Sequence, residues 1–253
     1  MNSSASTPKV TVCILAFNHS KYIEECIDSI FSQVTTFCFE VIVCDDESED
    51  GTWEILKECV KKYGDAIKIF RNERNIGATQ SYINIHSMAR GDYVAYIDGD
   101  DYALQGKLQA QHDILEMHKN CNVVMHPMDI LEPNGKIRPS NQVIENNKHW
   151  VFTRNEFVRF TWIGAHSSKM YRRGFDHNKL PKRCIDFLMT FYELENGCGY
   201  FICEKAYGVY REGVGISTKS YWTRYTLIEH LNYIHSKFFE YRDEVCSAFF
   251  YLV

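Results

Sequence analysis

Tyr93-Val94-Ala95-Tyr96-Ile97-Asp98-Gly99-Asp100-Asp101 runs five residues of strand character straight into three carboxylates packed within four positions. An apolar and aromatic run without polar interruption is how a strand covered on both faces reads, so residues 93–97 are expected inside a parallel sheet. Like charges this close repel one another, which makes each harder to ionise. A divalent cation with oxygen ligands turns adjacent anions into a coordination shell. The strand end is therefore read as the active site, against the alternative of an acidic turn capping the next helix.

Working outward, residues 9–16 are a near-continuous apolar, β-branched run that breaks at Phe17, Asn18 and His19. Ile23, Cys26, Ile27, Ile30 and Phe31 then recur at helical spacing, with Ser20 as candidate N-cap, Glu24 and Glu25 in the first turn and an end near Gln33. Residues 39–44 form a second strand, an acidic turn runs from Asp45 to Gly51, and a helix over residues 52–63 carries Trp53, Leu56, Cys59 and Val60 on one face. A strand at 67–70 and a helix at 78–88 complete the first half. Strands alternating with helices predict a doubly wound, mostly parallel α/β sheet, whose ligands bind beyond the carboxyl ends of the strands. Three polar clusters lie at such ends: Phe17-Asn18-His19, Asp45-Asp46, and Asp98 to Asp101.

The second half is less regular. Helices are expected at 104–118 and 183–196, strands at 122–128, 167–171, 200–203 and 207–210, and a turn at Glu132-Pro133-Asn134-Gly135 joining two antiparallel strands. Thr153-Arg154-Asn155-Glu156 matches a capping box before a short helix ending near Phe160. From Tyr221 onward Ile228, Leu231, Ile234, Phe238, Tyr241, Val245 and Phe249 make a helical stripe. The domain division is 1–218, with a ligand-binding half at 1–110 and a second cleft wall at 111–218, followed by a helical extension at 219–253.

Composition narrows the classes. Apolar residues are 45% and charged residues 24%, an ordinary globular mixture, and the net charge of −5 gives no basic footprint for nucleic acid. The ten cysteines contain no C-x-x-C pair, and Cys13, Cys44 and Cys59 fall within apolar patterns, so a reduced cytosolic protein is expected rather than a disulfide or zinc framework. The polar start from Met1 to Pro8 lacks the apolar core of a secretion signal, and no window approaches the ~18 apolar residues of a membrane span. The abrupt Tyr251-Leu252-Val253 end is what a truncated chain would show.

Four stretches taken together, Val10 to Asn18, Val43 to Thr52, Asn75-Ile76-Gly77 and Gly91 to Asp101, resemble the family 2 glycosyltransferases of the GT-A fold in order and spacing over about the first 110 residues. A looser likeness continues through Ser167 to Arg172, Cys184-Ile185-Asp186 and Tyr210-Arg211. The resemblance implies a Rossmann-like, mixed and mostly parallel sheet flanked by helices with a C-terminal helical segment. It also implies transfer of a sugar from a nucleotide diphosphate, most commonly UDP, to an acceptor hydroxyl with inversion.

The family's D-x-D element falls on Asp98-Gly99-Asp100-Asp101. It implies Mn2+ or Mg2+ held by Asp100 and Asp101, with Asp98 nearer the ribose and Gly99 leaving room for the nucleotide against the backbone. Of Asp45 and Asp46, Asp46 is the choice for the N3–H of uracil, the alternative being an Asx turn with helix capping. Ala16, Phe17 and Asn18 fall where the first strand passes under the base, although Phe17 reads equally well as core. Asn75 and Gly77 open a helix where free N–H groups would face phosphate or ribose. Gln80, Ser81 and Tyr82 stand where members often carry an Arg or Asn, so cationic help to the diphosphate is assigned to Arg74 or Arg211.

Inverting members carry their general base at the position of Asp186; Asp176 and Glu193 are the other candidates, and a helix cap is the alternative role. His166 reads as lining the acceptor side or as a structural histidine. The stretch Tyr210 to Ser217 resembles the family's closing loop, with Glu212 and Gly213 where a His is common. The acceptor is expected to be a glycan or a lipid-linked sugar in surface polysaccharide synthesis, placing the protein in the cytoplasm at the inner face of the membrane. The aromatic C-terminal stripe, with Lys219, Arg224, Lys237 and Arg242 nearby, suits core packing or a homodimer, and secondarily a peripheral membrane contact. Two other classes fit less well: a nucleotidyltransferase, which would show a Gly-rich basic loop after its first strand, and a non-catalytic nucleotide- or glycan-binding descendant, which would lose the base.

Overall fold

The uninterrupted apolar runs of the first half become interior strands of a parallel sheet. The computed structural model describes residues 7–143, 148–161, 163–181, 183–215 and 220–252. Ile216, Ser217 and Lys219, the 218/219 division, and the side chains of Tyr221, Trp222, Phe250 and Tyr251 lie outside the described residues.

In chain order the first half is β1 (Val10–Ala16), α1 (Ile23–Phe31), β2 (Phe39–Asp45), α2 (Thr52–Tyr63), β3 (Ile67–Arg71), α3 (Ala78–Ser87) and β4 (Tyr93–Asp98). The second half is β5 (Tyr102–Ala103), α4 (Lys107–Met117), β6 (Cys121–Met125), β7 (Met128–Leu131), β8 (Ile137–Arg138), β9 (His149–Phe152), α5 (Arg154–Phe160), β10 (Met170–Arg172), α6 (Asp186–Glu193), β11 (Cys198–Ile202), β12 (Gly208–Arg211), α7 (Ser220–Lys237) and α8 (Arg242–Leu252). The main sheet has the order β3-β2-β1-β4-β10-β6-β11-β9. Its first four strands are mutually parallel, and β10 is antiparallel to both neighbours.

Both faces of this sheet are covered, which is why its strands are apolar without alternation. Val12, Ile14, Val41, Val43, Ala95 and Ile97 pack with α1 and α2 through Ile23, Ile27 and Leu56. Cys13, Ile42, Val94 and Tyr96 pack on the other face with Tyr82, Ile83 and Ile85 of α3. Each fully buried aliphatic side chain contributes about 1.5–3 kcal/mol of transfer free energy. The carboxyl ends of β1, β2 and β4 are thereby held on a rigid platform.

Several elements depart from expectation. A two-residue strand, β5, follows Asp101 directly and starts a second sheet of order β5-β12-β7-β8. The single strand expected at 122–128 is divided at Pro127, which has no N–H for the ladder, into β6 and β7. Residues 167–171 begin as a single 3-10 turn, His166–Ser168, before β10. The helix at 104–118 starts only at Lys107, after left-handed Gly106, and that at 183–196 is confined to α6. Ser20 does not cap α1; its N–H donates to Asp50 at 2.9 Å instead. The capping box at Thr153 and Glu156 and the turn between antiparallel β7 and β8 form as read.

The C-terminal stripe is interrupted near Phe238 into α7 and α8. Leu231, Ile234 and Val245 are fully buried in the core cluster that contains Phe157, Leu188 and Phe191, and Phe238, Tyr241 and Phe249 pack against it. That apolar face is core. Among the described residues no helix is long and apolar enough to cross a membrane. All ten cysteines are free thiols, with Cys38 and Cys246 exposed.

Candidate active site

The tight turn at the end of β4 sets the three carboxylates. Asp101 N–H donates to Asp98 C=O at 3.0 Å, and Gly99 N–H donates to the Leu15 carbonyl of β1 at 2.8 Å. Asp98 accepts from the Tyr96 hydroxyl at 2.6 Å and from Ser167 Oγ at 3.2 Å. Burial, with the Asp100 charge behind it, pushes the Asp98 carboxyl up to about 6. Asp100 and Asp101 are 5% and 2% exposed. Burial raises both carboxyls, and for Asp101 the charges of Asp100 and Asp98 raise it further. Asp101 Oδ1 accepts from Arg211 N–H at 2.9 Å, while Oδ2 is buried without a partner.

Gly99 has a packing reason of its own. A Cβ there would meet Leu15 O, His19 Nδ1 and Ile23 Cδ1, each at 2.9 Å, so the glycine admits β1 and the His19 ring. His19 Nε2 lies 3.9 Å from Asp100 Oδ2, and burial lowers the affinity of the imidazole for a proton.

Arg211, at the end of β12, reaches the site because β12 pairs with β5 directly after Asp101. Its Nε donates to Asp100 C=O at 2.9 Å, its Nη2 donates to Glu25 at 2.7 Å, and the group lies 4.5 Å over the Tyr22 ring. A further cation sits on the inner side: Lys107 is 1% exposed and donates to Ser167 C=O at 2.5 Å. Burial pushes its ammonium down to about 8, against the pull of Cys26, Asp101 and Asp98.

Asp45 and Asp46 divide their work. Asp45 is fully buried, accepts from Ser48 Oγ, and pairs with Arg71 Nε at 3.2 Å. Asp46 accepts from Asn72 Nδ2 at 2.8 Å, Ile76 N–H at 3.0 Å and Gly77 N–H at 2.9 Å. Glu47 takes the Asn75 N–H at 2.7 Å. The N–H groups of Asn75 and Gly77 are therefore already given to carboxylates, which corrects the expectation that they are free for a phosphate. Ala16 is buried with its carbonyl accepting from Asp46 N–H at 2.9 Å. Asn18, at φ 58°, bridges the same loop through Ser48 and Glu49, and Phe17 is 42% exposed beside it. Phe17 is thus not core.

Across the strand end, Asp186 is the first residue of α6 and is partly exposed. It is not the cap, which falls on Ile185, although its Oδ1 accepts the Phe187 N–H at 2.9 Å. Burial raises its carboxyl, Lys169 draws it down, and Asp98 pushes it up, so the two carboxylates feel each other across the site. The other base candidates are committed elsewhere. Asp176 is exposed and caps a 3-10 turn through Asn178 N–H at 3.1 Å. Glu193 is buried in an ion pair with Lys169 Nζ at 2.6 Å. His166 is partly buried and stacked on Tyr96 at 4.0 Å between ring centroids, and desolvation of the ring lowers its affinity for a proton. Arg74 is exposed, directly before Asn75.

Lys107 and Lys169 were missed as site residues. For Lys107 a signal existed: it shares the stripe of Gln111 and Leu115 at four-residue spacing, the inward face of α4. Nothing in the spacing around Lys169 marks a buried charge.

The glycosyl transferase family 2 model matches residues 11–178. EpsE of Bacillus subtilis (strain 168), named as a glycosyltransferase, is 30% identical over 219 residues, 85% of this chain and 78% of that protein. The chondroitin synthase of Pasteurella multocida (strain Pm70) is 28% identical over 166 residues, 65% of this chain but 16% of the synthase. Among solved structures, S. aureus TarS 1-349 in complex with UDP-GlcNAc has a TM-score of 0.65 at 22% identity, covering 88% of this chain and 66% of that one. GalNAc-T7 with UDP, GalNAc and Mn2+ has a TM-score of 0.67 at 16% identity, covering 95% of this chain and 50% of that one. With the family model spanning well over half of its length on a GT-A-like sheet, the chain belongs to the family 2 glycosyltransferases and is a glycosyltransferase.

Proposed function

We propose that this protein moves a sugar from a UDP-sugar to an acceptor hydroxyl with inversion, in the synthesis of a surface polysaccharide or other glycan, at the cytoplasmic face of the membrane. The observation that carries the reading is the strand-end cluster: three carboxylates made costly by burial, one oxygen of Asp101 with no protein partner, and Asp186 at the start of α6, near enough for its carboxyl to feel the Asp98 charge. The likeness to UDP- and UDP-sugar-bound structures and to a polysaccharide synthase supports the donor and the acceptor class.

The donor set suits a hard divalent cation. Asp100 and Asp101 supply carboxylate oxygens whose charge a cation would stabilise, and among the described residues no three or more His, Cys, Asp or Glu side chains come together to hold a metal by themselves. Two carboxylates with phosphate and water completing the shell is the arrangement Mn2+ or Mg2+ takes. Bound there, the ion would neutralise charge growing on the leaving diphosphate. Arg211 adds positive charge on the same side.

The remaining roles belong to the chain itself. A carboxylate offers about four acceptor sites, and Asp46 has used three, so one stays for the uracil N3–H while Asn72, Ile76 and Gly77 fix its orientation. Phe17 offers an exposed ring beside it for the base. Asp98, braced by Tyr96 and Ser167, hydrogen-bonds the ribose. Asp186 takes the acceptor proton as the acceptor oxygen bonds to the anomeric carbon and the bond to the diphosphate breaks, the electron pair leaving with UDP. Attack on the face opposite the leaving group inverts the centre.

The test is a panel of nucleotide sugars with Mn2+, following UDP-sugar binding and slow hydrolysis in wild type, Asp100→Ala and Asp186→Asn. Metal-dependent UDP-sugar binding is expected to be lost in the first and kept in the second, with turnover lost in both. Tight metal-independent binding, or preference for a nucleoside triphosphate, would refute the proposal and favour nucleotidyl transfer.

A further inference from the structure

Lys169 is a fully buried lysine, and it stands between the two sides of the site. Its carbonyl accepts from Tyr96 N–H at 3.0 Å, two residues before Asp98 on β4. Its ammonium reaches the other way, to Glu193 Oε2 at 2.6 Å and Thr190 Oγ1 at 3.3 Å on α6. Asp186, Thr190 and Glu193 are spaced i, i+4 and i+7, one stripe along a single helix face. The lysine therefore connects the strand that carries Asp98 to the helix that carries Asp186, and it grips the same face on which Asp186 lies.

We propose that Lys169 is the positioning residue for Asp186: a strut bonded by its backbone to β4 and by its ammonium to α6, which sets the helix's first carboxylate against the strand end with a buried positive charge behind it. The proposal rests on the reading of Asp186 as the acceptor's base. The strut is itself braced. Tyr82 of α3 donates to Glu193 Oε1 at 2.6 Å and accepts from Lys169 at 3.3 Å, and His177 Nε2 lies 3.8 Å from the same carboxylate. A buried ion pair is weak evidence of stability in itself, because desolvation offsets the attraction, but it fixes geometry.

Other charges act on the helix. Asp98 from β4 opposes ionisation of Asp186, and Cys184 lies just ahead of it with its thiol held up by burial. From α5, Arg154 donates to the Phe191 and Tyr192 carbonyls at the far end of α6. From α7, His230 is kept neutral by burial. Lys169 is the leading charged group drawing the Asp186 carboxyl down.

The charges of the strut give two substitutions effects of opposite sign, which a purely structural role does not. Protein carrying 13Cγ-labelled aspartate is titrated by NMR, with the Asp186 resonance assigned by its disappearance in Asp186→Asn. In Glu193→Gln the lysine keeps its charge without its partner's, so the Asp186 midpoint should fall. In the double variant Lys169→Met/Glu193→Gln the positive charge is gone, and the midpoint should rise by about one pH unit relative to Glu193→Gln. The acid limb of UDP-sugar hydrolysis with Mn2+ should follow both shifts. Midpoints that move in the same direction, or not at all, overturn the proposal; where the double variant does not fold, Glu193→Gln decides alone, a fall supporting the proposal and no change or a rise refuting it. Turnover surviving in Asp186→Asn refutes the base assignment separately, whatever the titration shows.

Discussion

Substituting Gly99 by alanine separates two accounts of the strand-end turn. If the glycine exists to let a nucleotide lie on the backbone, a methyl group should leave the free protein stable and hurt only the donor. The structure argues otherwise. The added Cβ would meet three atoms at 2.9 Å. Ile23 Cδ1 and the His19 ring are side-chain ends and can move, but Leu15 O is backbone and is fixed by the 2.8 Å bond from Gly99's own N–H. Overpacking of this kind costs about 1–3 kcal/mol. At about 2–4 °C per kcal/mol for a chain of this size, Tm should fall by about 2–12 °C. The assay is thermal and urea unfolding of the ligand-free protein beside UDP-sugar binding with Mn2+. Displacing His19 from Asp100 should weaken binding as well, so both readouts should fall together. Unchanged ligand-free stability with a tenfold or greater loss of donor affinity would refute the packing account and restore the nucleotide's claim on that space.

Arg211→Met removes the donor to the Asp100 carbonyl and the ion pair with Glu25, and loss of a charge-assisted contact to the diphosphate should cost about 1.5–3 kcal/mol, or about 10- to 150-fold in UDP affinity, measured by calorimetry; an unchanged Kd would remove Arg211 from the phosphate site. Asp46→Asn leaves one oxygen in place of two, so either Ile76 or Gly77 loses its acceptor, and both stability and discrimination between UDP and other nucleoside diphosphates should drop; retained discrimination would rule out Asp46 as the base reader. The pH dependence has a definite sign. The Asp98 carboxyl titrates at about 6 in the folded protein, above its unfolded value, so the folded state binds the extra proton between those values. Metal-free stability should therefore rise from this group as pH falls from 7.5 toward 5. Mn2+ should stabilise the protein at pH 7.5 much more than at pH 5, and urea midpoints with equal metal stabilisation at both values would contradict the account.

How much of this was legible in the sequence depended on where the information resided. The first half was read closely because its strands are buried on both faces and its helices have one apolar stripe: Thr52–Tyr63 formed over the expected residues, and β2 and β4 each ran one residue past their expected ends. The second half depended on pairing that no local pattern carries. β5 is two residues long and exists only because β12 lies beside it, so it has no periodicity to detect. The division of 122–128 is carried by Pro127, which removes a ladder donor inside an otherwise apolar run.

The site divides along the same line, and the division has a chemical reason. Asp98, Asp100 and Asp101 were visible because carboxylates crowded at a strand end are conspicuous in one dimension, and Asp186 because a motif carried it. What ties those carboxylates into the candidate site is a set of contacts between residues far apart in the chain: Arg211 N–H on Asp101, Ser167 on Asp98, and Lys169 between Tyr96 and Glu193. Gly77 shows the converse. A glycine opening a helix reads as an anion seat until the turn's N–H groups are found on Asp46 and Glu47, two carboxylates 31 and 28 residues earlier in the chain. A carboxylate that already occupies the place of an anion tells against phosphate there, whereas at the end of β4 an oxygen of Asp101 is still without a partner.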